Sequence, residues 1–364
     1  MAKVILLSTF PLPYSKIGSW TTMYRNYLES GNHKIDHIVC EEPHQRIPGV
    51  AYTIVKDNFW IKVRRKFSYY RIGYMDALKR ILQKDEKYVI QLVDNFSMAD
   101  KIHEVLTEMG IRQNCFIQLF YHGYDPFLPA QNGTGDFYAN VDGLVLLTND
   151  SYKTHLNYYT VFPIGVSVLY NGIDTKRFRK VDASEKNQIR ERLGIPHKKV
   201  FLWCSQDRPK KGLDLILDAW NRIHQKFPDT FLMVVGTDRK REIPNGKFFG
   251  RIPNDDLPQY YQAADSYLFP TLCHEGFGLS LVEALNCGCH CIASKQGGVP
   301  EVLQYGKLGR LIQNPNYVNE WEQAMTDFIT GRDIPVSLDK PVYTLEEWVD
   351  SMNAIIEVAK KRLS

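Results

Sequence analysis

The feature that most constrains the fold is an alternation of short apolar segments with helical segments, which runs along most of the chain. Short apolar strands that alternate with helices are typical of βαβ units, in which helices cover a buried parallel sheet. We therefore predict an α/β protein. The predicted strands are Lys3–Thr9, Ile35–Cys40, Tyr88–Val93, Phe116–Tyr121 and Leu144–Leu147, then Lys199–Cys204, Phe231–Gly236, Ser266–Phe269 and His290–Ala293.

The length of 364 residues exceeds one ordinary core and favours two domains. The strand–helix rhythm restarts after the turn-like segment Asn171–Asp174. We predict an N-terminal Rossmann-like domain over residues 1–168 and a second one over residues 169–344. Residues 345–364 carry apolar side chains at helical spacing and form a final helix.

Composition narrows the class of protein. A formal net charge of +4 is too small to indicate a nucleic-acid binder. The apolar run after Lys3 is too short for a signal peptide, and no stretch reaches the roughly 20 apolar residues of a membrane span. We expect a cytoplasmic protein.

The seven cysteines lie mostly in apolar runs and are expected to be reduced core residues. The segment Cys287–Cys291 has a spacing that suits metal ligands. It spans a helix end and a strand start, however, and structural zinc sites use two spaced pairs of ligands. We predict no metal site.

The most informative motif lies in residues 270–285, where a strand ends in a glycine-containing loop and a helix begins at once. Glycines let the backbone approach a ligand, and the start of a helix favours an anion. Glu275 lies in the loop, and Glu283 follows about two turns into the helix near the same face. Two carboxylates beside an anion site suit a sugar joined to a phosphate.

Glu275 and Glu283, with Gly276–Gly278 between them, resemble the E-x7-E signature of the family 4 retaining glycosyltransferases. Other segments resemble parts of that family in the same order: Asn171–Asp174 with Phe178, Gly250–Pro253, and Ala293–Val302. The resemblance covers residues 171–302.

The resemblance implies the GT-B fold, with two Rossmann-like doubly wound parallel-sheet domains that face each other across a cleft. The final helix would pack back on the N-terminal domain. The implied reaction moves a hexose-type sugar from a UDP- or GDP-linked donor to a hydroxyl of a glycan or lipid-linked acceptor, with retention at the anomeric carbon. Cell-surface polysaccharide or lipopolysaccharide synthesis is the expected setting, with the nucleotide sugar as co-substrate and with no cofactor or metal.

The same resemblance assigns roles to residues of the second domain. Glu275 would contact the donor sugar and Glu283 the ribose. The other expected donor-binding residues there are Gly276, Phe277, Gly278, Leu279 and Ile252.

The leaving diphosphate needs positive charge in the transition state. Lys211 and Arg208 follow a predicted strand and are expected to supply it. The family usually has an arginine five residues before the lysine, where this chain has Gln206. Arg208 would then act from a different point on the loop.

In the first domain, Gly18 and Ser19 precede a helix where the family has two adjacent glycines, and both are expected to contact the diphosphate. His122 follows a strand and resembles a family histidine near the reacting sugar and the acceptor. Asp94 and Asn95 are further candidates for the cleft.

Residues 56–84 contain nine cations and two anions among six aromatic rings. This pattern suits an anionic membrane surface, so a peripheral contact at the inner face of the membrane is expected. A solvated helix with an aromatic core face explains the pattern as well, and nucleic acid lacks a supporting motif.

Two other functions stay open at this point. One is a GT-B nucleotide-sugar epimerase or phosphorylase-like enzyme. The other is a non-catalytic nucleotide-sugar-binding protein, for which Gln206 and the single glycine at position 18 leave room.

Overall fold

The structure is a computed structural model that describes residues 2–14, 19–56, 72–126, 137–158, 164–195 and 198–364. The chain divides into two compact units. The first comprises Met1–Asn171 together with Glu346–Ser364, and the second comprises Gly172–Leu345.

The described part of the first unit forms a seven-stranded parallel sheet with the order β3-β2-β1-β4-β5-β6-β7. The strands are β1 (Lys3–Leu7), β2 (His37–Cys40), β3 (Ala51–Ile54), β4 (Tyr88–Val93), β5 (Cys115–Tyr121), β6 (Gly143–Leu146) and β7 (Gly165–Val168). The helices between them are α1 (Ser19–Glu29), α2 (Ile72–Ile81), α3 (Phe96–Glu108) and α4 (Asn149–Leu156).

The described part of the second unit forms a six-stranded parallel sheet with the order β10-β9-β8-β11-β12-β13. The strands are β8 (Lys199–Cys204), β9 (Thr230–Val235), β10 (Gly246–Phe248), β11 (Ser266–Phe269), β12 (His290–Ser294) and β13 (Gly309–Ile312). The helices are α5 (Ala183–Leu193), α6 (Leu213–Lys226), α7 (Pro258–Ala263), α8 (Leu279–Asn286), α9 (Val299–Val302) and α10 (Val318–Ile329).

Inner strands of both sheets are largely buried, as is usual for parallel strands covered by helices. Every residue of β4, β9 and β11 is buried. In the core of the second unit, Trp220 and Trp321 are buried. Their indole N–H groups donate to the carbonyls of Pro244 (2.7 Å) and Pro315 (2.9 Å). The sheets are therefore rigid supports for the loops at their edges.

The C-terminal helix, α11 (Leu345–Lys361), packs within the first unit. The ring of Trp348 meets Tyr24 and Tyr27 of α1 edge-on, at centroid distances of 6.3 and 5.4 Å. Asn353 accepts a hydrogen bond from the Tyr27 hydroxyl (2.5 Å) and donates to the carbonyl of Asn32 (2.9 Å). Aromatic packing and a shared amide thus hold α11 on α1.

Each sheet has one pair of neighbouring strands from which the chain continues to opposite sides of the sheet, a topological switch point. The two points lie between β1 and β4 and between β8 and β11. In open parallel sheets, ligands bind at the carboxyl ends of the strands at such a switch point. The loops after β8 and β11 are therefore the first place to look for a site in the second unit.

Among the described residues we find no helix with the length and apolar composition needed to span a bilayer. Residues 57–71, which hold most of the basic aromatic stretch of the sequence, lie outside the described residues.

Candidate functional site

The loops after β8 and β11 are fastened to each other at the switch point. Gly212 has a φ of +68°, and a Cβ there would lie 2.0 Å from the carbonyl oxygen of Pro270. Beside it, the backbone N–H of Leu272 donates to the carbonyl of Lys210 (2.8 Å). The buried indole of Trp203 donates to the carbonyl of Lys211 (3.1 Å). These contacts fix the backbone from which the Lys211 side chain projects.

The structure brings Lys211 and Glu275 together. The Lys211 ammonium forms an ion pair with Oε1 of Glu275, and both side chains are about one-fifth exposed (20% and 18%). The hydroxyl of Thr271, a buried residue that the sequence did not single out, donates to the same oxygen (2.9 Å). The pair is a fixed dipole with its positive end on the loop after β8.

The backbone of Glu275 is held by the loop that follows β12. The N–H of Gly298 donates to the carbonyl of Glu275 (2.8 Å). Gly297 has a φ of +59°, and a Cβ at this position would lie 2.4 Å from the same carbonyl oxygen. Glycine is therefore required at position 297, within the segment Ala293–Val302 that resembles part of the family.

Helix α8 begins directly after the motif glycines. Gly278, with a φ of +91°, is its N-terminal cap, and its carbonyl accepts from the N–H of Leu281 (3.0 Å). The first N–H groups of a helix have no partner inside it and attract anions. Gly276 and Leu279 flank this start and are partly buried, whereas the Phe277 ring is buried edge-on against Tyr343.

Glu283 has surroundings of its own. It is the fifth residue of α8, just past the first turn, so the expectation of two turns was wrong because the loop continues through Gly278. Burial raises the pKa of Glu283 to about 7, although a hydrogen bond from Tyr261 and the positive charge of Arg177 oppose the shift. Glu283 thus changes charge near neutral pH.

Arg208 lies at the exposed start of the turn that carries Lys211. Its neighbour Asp207 accepts from Nε and Nη2 of Arg239 (2.6 and 2.8 Å) and from the hydroxyl of Thr237 (2.6 Å). Arg239 also bonds Asp214 at the start of α6. Arg239 and its hydrogen bonds hold the pKa of Asp207 below its usual range. Sequence reasoning missed this cluster because Arg239 follows β9, far along the chain from Asp207.

Gly236, after β9, sets the distance to the loop after β8 and is bonded to the loop after β10. Gly236 has a φ of +100°, and a Cβ there would lie 2.0 Å from the carbonyl oxygen of Ser205. Its N–H donates to the carbonyl of Gly250 (2.8 Å). Ile252, an expected donor-binding residue, is partly buried two residues further on. It therefore lies on the same edge of the sheet as the loop of Lys211.

The candidates in the first unit lie at its own switch point. His122 follows β5 and is partly buried, and its backbone N–H donates to Oδ1 of Asp94 (2.7 Å), which follows β4. Ser19 is the first residue of α1. Gly18 lies outside the described residues.

Within the described ranges, no group of three or more His, Cys, Asp or Glu side chains is placed to hold a metal ion. The seven cysteines are free thiols, and Cys287, Cys289 and Cys291 are buried. Burial raises the pKa of the Cys289 thiol to about 12.

Residues 185–343 match the model of the family described as glycosyl transferases group 1. This match contains Lys211, Glu275 and Glu283. The second unit carries a domain of the group 1 glycosyltransferase family. The family predicted from the sequence is thereby confirmed.

Two curated relatives of this chain are named for inositol-containing acceptors. A GDP-mannose-dependent alpha-(1-6)-phosphatidylinositol monomannoside mannosyltransferase of Mycolicibacterium smegmatis is 31% identical over 158 residues, which are 39% of this chain and 41% of that protein. A D-inositol 3-phosphate glycosyltransferase of Corynebacterium kroppenstedtii is 26% identical over 309 residues, 79% of this chain and 62% of that protein. The chain thus spans about half the length of the curated relatives that it matches.

Solved structures resemble the whole chain. HepE of Anabaena in complex with UDP and glucose has a TM-score of 0.68 at 16% identity, with 99% of this chain and 100% of that one covered. At that identity the likeness shows the fold alone. With the two parallel sheets, it confirms the predicted GT-B fold class of two Rossmann-like domains. The placement of the domains across a cleft stays a prediction, as do the roles of the site residues.

Proposed function

We propose that this protein is a retaining glycosyltransferase that transfers a hexose-type sugar from a nucleotide-diphosphate sugar to a hydroxyl of a glycan or lipid-linked acceptor. The observation that carries the proposal is the Lys211–Glu275 ion pair at the switch point of the second sheet. The family match over the same residues supports it.

In the proposed reaction the diphosphate lies near the start of α8. The bond between the anomeric carbon and the diphosphate oxygen breaks, and the charge that develops on the leaving group is stabilised by the Lys211 ammonium and the helix start. The acceptor oxygen bonds to the same face of the sugar, and its proton passes to the leaving phosphate. Glu275 would accept hydrogen bonds from the sugar hydroxyls, held in place by Lys211 and Thr271.

Glu283 is proposed to bind the ribose. Its carboxyl lies on α8, which starts at the expected phosphate site, and it accepts a hydrogen bond from Tyr261 and feels the positive charge of Arg177. A carboxylate is a stronger acceptor for hydroxyl groups than the neutral acid. We therefore expect the ionised form of Glu283 to bind the donor.

A GDP-linked mannose is the first donor to test, since relatives named for GDP-mannose dependence are similar to part of this chain. UDP-linked sugars come second, because HepE holds UDP. Cell-surface polysaccharide or lipopolysaccharide is the proposed product class. A peripheral contact with anionic membrane through residues 56–84 belongs to the same proposal.

The testing experiment screens nucleotide sugars with the full chain by thermal shift, and then measures release of the nucleoside diphosphate with an acceptor extract. A donor at 100 times its dissociation constant should stabilise the fold by about 2.7 kcal/mol. Turnover with the anomeric configuration kept, and lost in Glu275→Gln, supports the proposal. Donor binding without transfer to any acceptor favours a binding protein, and an isomerised or phosphorolysed sugar favours an epimerase or a phosphorylase.

A further inference from the structure

Asp94 has an unusual backbone for a residue with a side chain. It directly follows β4 and has a φ of +49°, in the left-handed region that asparagine and aspartate tolerate better than other residues with a side chain. Its N–H still continues the sheet by donating to the carbonyl of Phe120 (2.9 Å). This conformation turns the carboxylate toward the residues that follow β5.

The Asp94 carboxylate faces His122 with both oxygens. Oδ1 accepts the backbone N–H of His122 (2.7 Å), and Oδ2 lies 3.5 Å from Nδ1 of its ring. Nδ1 is buried and has no hydrogen-bond partner in the described part of the chain. Nδ1 thus faces Oδ2 of Asp94, while the hydrogen bond from the His122 backbone N–H to Oδ1 holds the carboxylate in place.

This geometry bears on which ring nitrogen carries the proton. A neutral imidazole has one N–H and one lone pair. A lone pair on Nδ1 would face the negative oxygen of Asp94 and repel it, whereas an N–H there is attracted. At 3.5 Å the contact is longer than a hydrogen bond, and such contacts at catalytic sites often tighten when the substrate binds.

The carboxylate also lies near neutral groups. Tyr121, whose pKa is raised to about 12 by burial first and then by Asp94 and Asp125, stays uncharged at neutral pH. Tyr24 is fully buried and its pKa is raised by burial, Tyr27 and Asp94 in that order. Both phenols remain neutral beside Asp94.

We propose that Asp94 is a positioning residue that holds His122 as the Nδ1–H tautomer and leaves Nε2 as a hydrogen-bond acceptor. His122 would then accept a hydrogen bond from a hydroxyl of the sugar or of the acceptor and would not donate one. The use of this acceptor in transfer rests on the proposed function, but the tautomer itself does not.

Asp94→Asn is the discriminating variant. Asparagine tolerates the same φ, and its carbonyl oxygen can keep the hydrogen bond from the His122 N–H. Its NH2 group then faces Nδ1, which must become the acceptor. The proton is expected to move to Nε2, so the ring is held in the opposite tautomer.

The measurement is 15N NMR of the full chain with labelled histidine, at a pH where the imidazole is neutral, with His122→Gln to assign the signal. The wild type should show a protonated Nδ1, Asp94→Asn should show a protonated Nε2, and the exposed Asp85→Asn should match the wild type. A protonated Nε2 in the wild type, or an unchanged tautomer in Asp94→Asn, would overturn the proposal.

Kinetics separate this inference from the proposed function. Asp94→Asn should lower kcat about 10- to 100-fold with little change in the donor KM. A switched tautomer with an unchanged kcat would overturn the role of His122 as an acceptor in transfer. If no donor is turned over by the wild type while the tautomer still switches, the positioning of His122 holds and the proposed function fails.

Discussion

The Lys211 ammonium and the Glu275 carboxylate form an ion pair that joins the loops after β8 and β11, two neighbouring strands that send the chain in opposite directions. The pair is partly buried, so its charges are less screened by solvent than those of a surface pair. Glu275 also accepts from Thr271, which keeps the carboxylate in place if the lysine moves to a ligand.

Lys211→Met should lower donor turnover by about 100-fold or more, because the leaving diphosphate loses a fixed cation. The melting temperature should change little, since Thr271 still bonds Glu275. Steady-state release of the nucleoside diphosphate measures the effect. Lys210→Met is the matched control: this neighbour is exposed, and its role in the loop is a backbone carbonyl that the substitution keeps. Equal losses in both variants would contradict a specific role for Lys211.

Gly297→Ala should reduce both stability and turnover, because its Cβ would lie 2.4 Å from the Glu275 carbonyl. Gly194→Ala is matched in backbone conformation, with a φ of +66° and nothing within 4 Å of the added Cβ. We expect Gly194→Ala to lose about 1–2 kcal/mol from left-handed strain alone and to keep its turnover. Urea unfolding and donor turnover of both variants test the difference, and equal behaviour would show that the contact with Glu275 does not matter.

Donor affinity should rise with pH through about 7, because Glu283 has a pKa of about 7 and its ionised form is the better acceptor for ribose hydroxyls. Calorimetric titration with donor across this range is the measurement. The Glu283→Gln variant should bind more weakly at high pH and lose this pH dependence. A wild-type profile that stays flat would rule out Glu283 as the titrating contact.

The same raised pKa has a stability consequence. The folded pKa lies above the ordinary value of 4.5, so Glu283 favours the folded state at low pH. That contribution is lost progressively as pH rises from 4.5 to about 7, by about 3 kcal/mol in total. Without ligand, Glu283→Gln should flatten this decline in urea unfolding, and an identical decline in both proteins would contradict the assignment.

Arg239→Gln should destabilise the second unit by about 1–2 kcal/mol at neutral pH, because Asp207 loses a bidentate partner. The folded pKa of Asp207 is lowered, so its stabilisation exists above the unfolded value and disappears as pH falls below about 4. The difference in free energy of unfolding between the wild type and the variant should therefore become smaller at acid pH. Arg251→Gln, which removes an exposed ion pair with Asp238, should stay within about 0.5 kcal/mol of the wild type.

The buried central strands of the fold could be predicted from the sequence because each is a short segment of mostly apolar residues. β4 and β8 begin and end where they were expected. The edge strand β3 (Ala51–Ile54) was missed: it is only partly buried, and its sequence carries no such run. Helix α10 (Val318–Ile329) was missed as well, although its buried face is apolar.

The spacing of the candidate site residues could be predicted where they are close in sequence. Glu275, Gly278 and Glu283 form one segment, so their spacing carries information. Contacts between residues far apart, such as Asp207 with Arg239 or Asp94 with His122, arise from strand order and leave no pattern along the chain. Such contacts can be found only once the order of the strands in the sheet is known.

Gly212 and Gly236 approach the main-chain carbonyls of Pro270 and Ser205. The distances between the loops after β8, β9 and β11 are therefore set mainly by the backbone. A mutant library that randomises positions 206 and 208 while it keeps both glycines should therefore retain the shape of this edge. Donor preference in such a library would change through the new side chains at positions 206 and 208, while the distances between the loop backbones stay the same. Engineering of this protein can thus begin with the exposed side chains at positions 206 and 208.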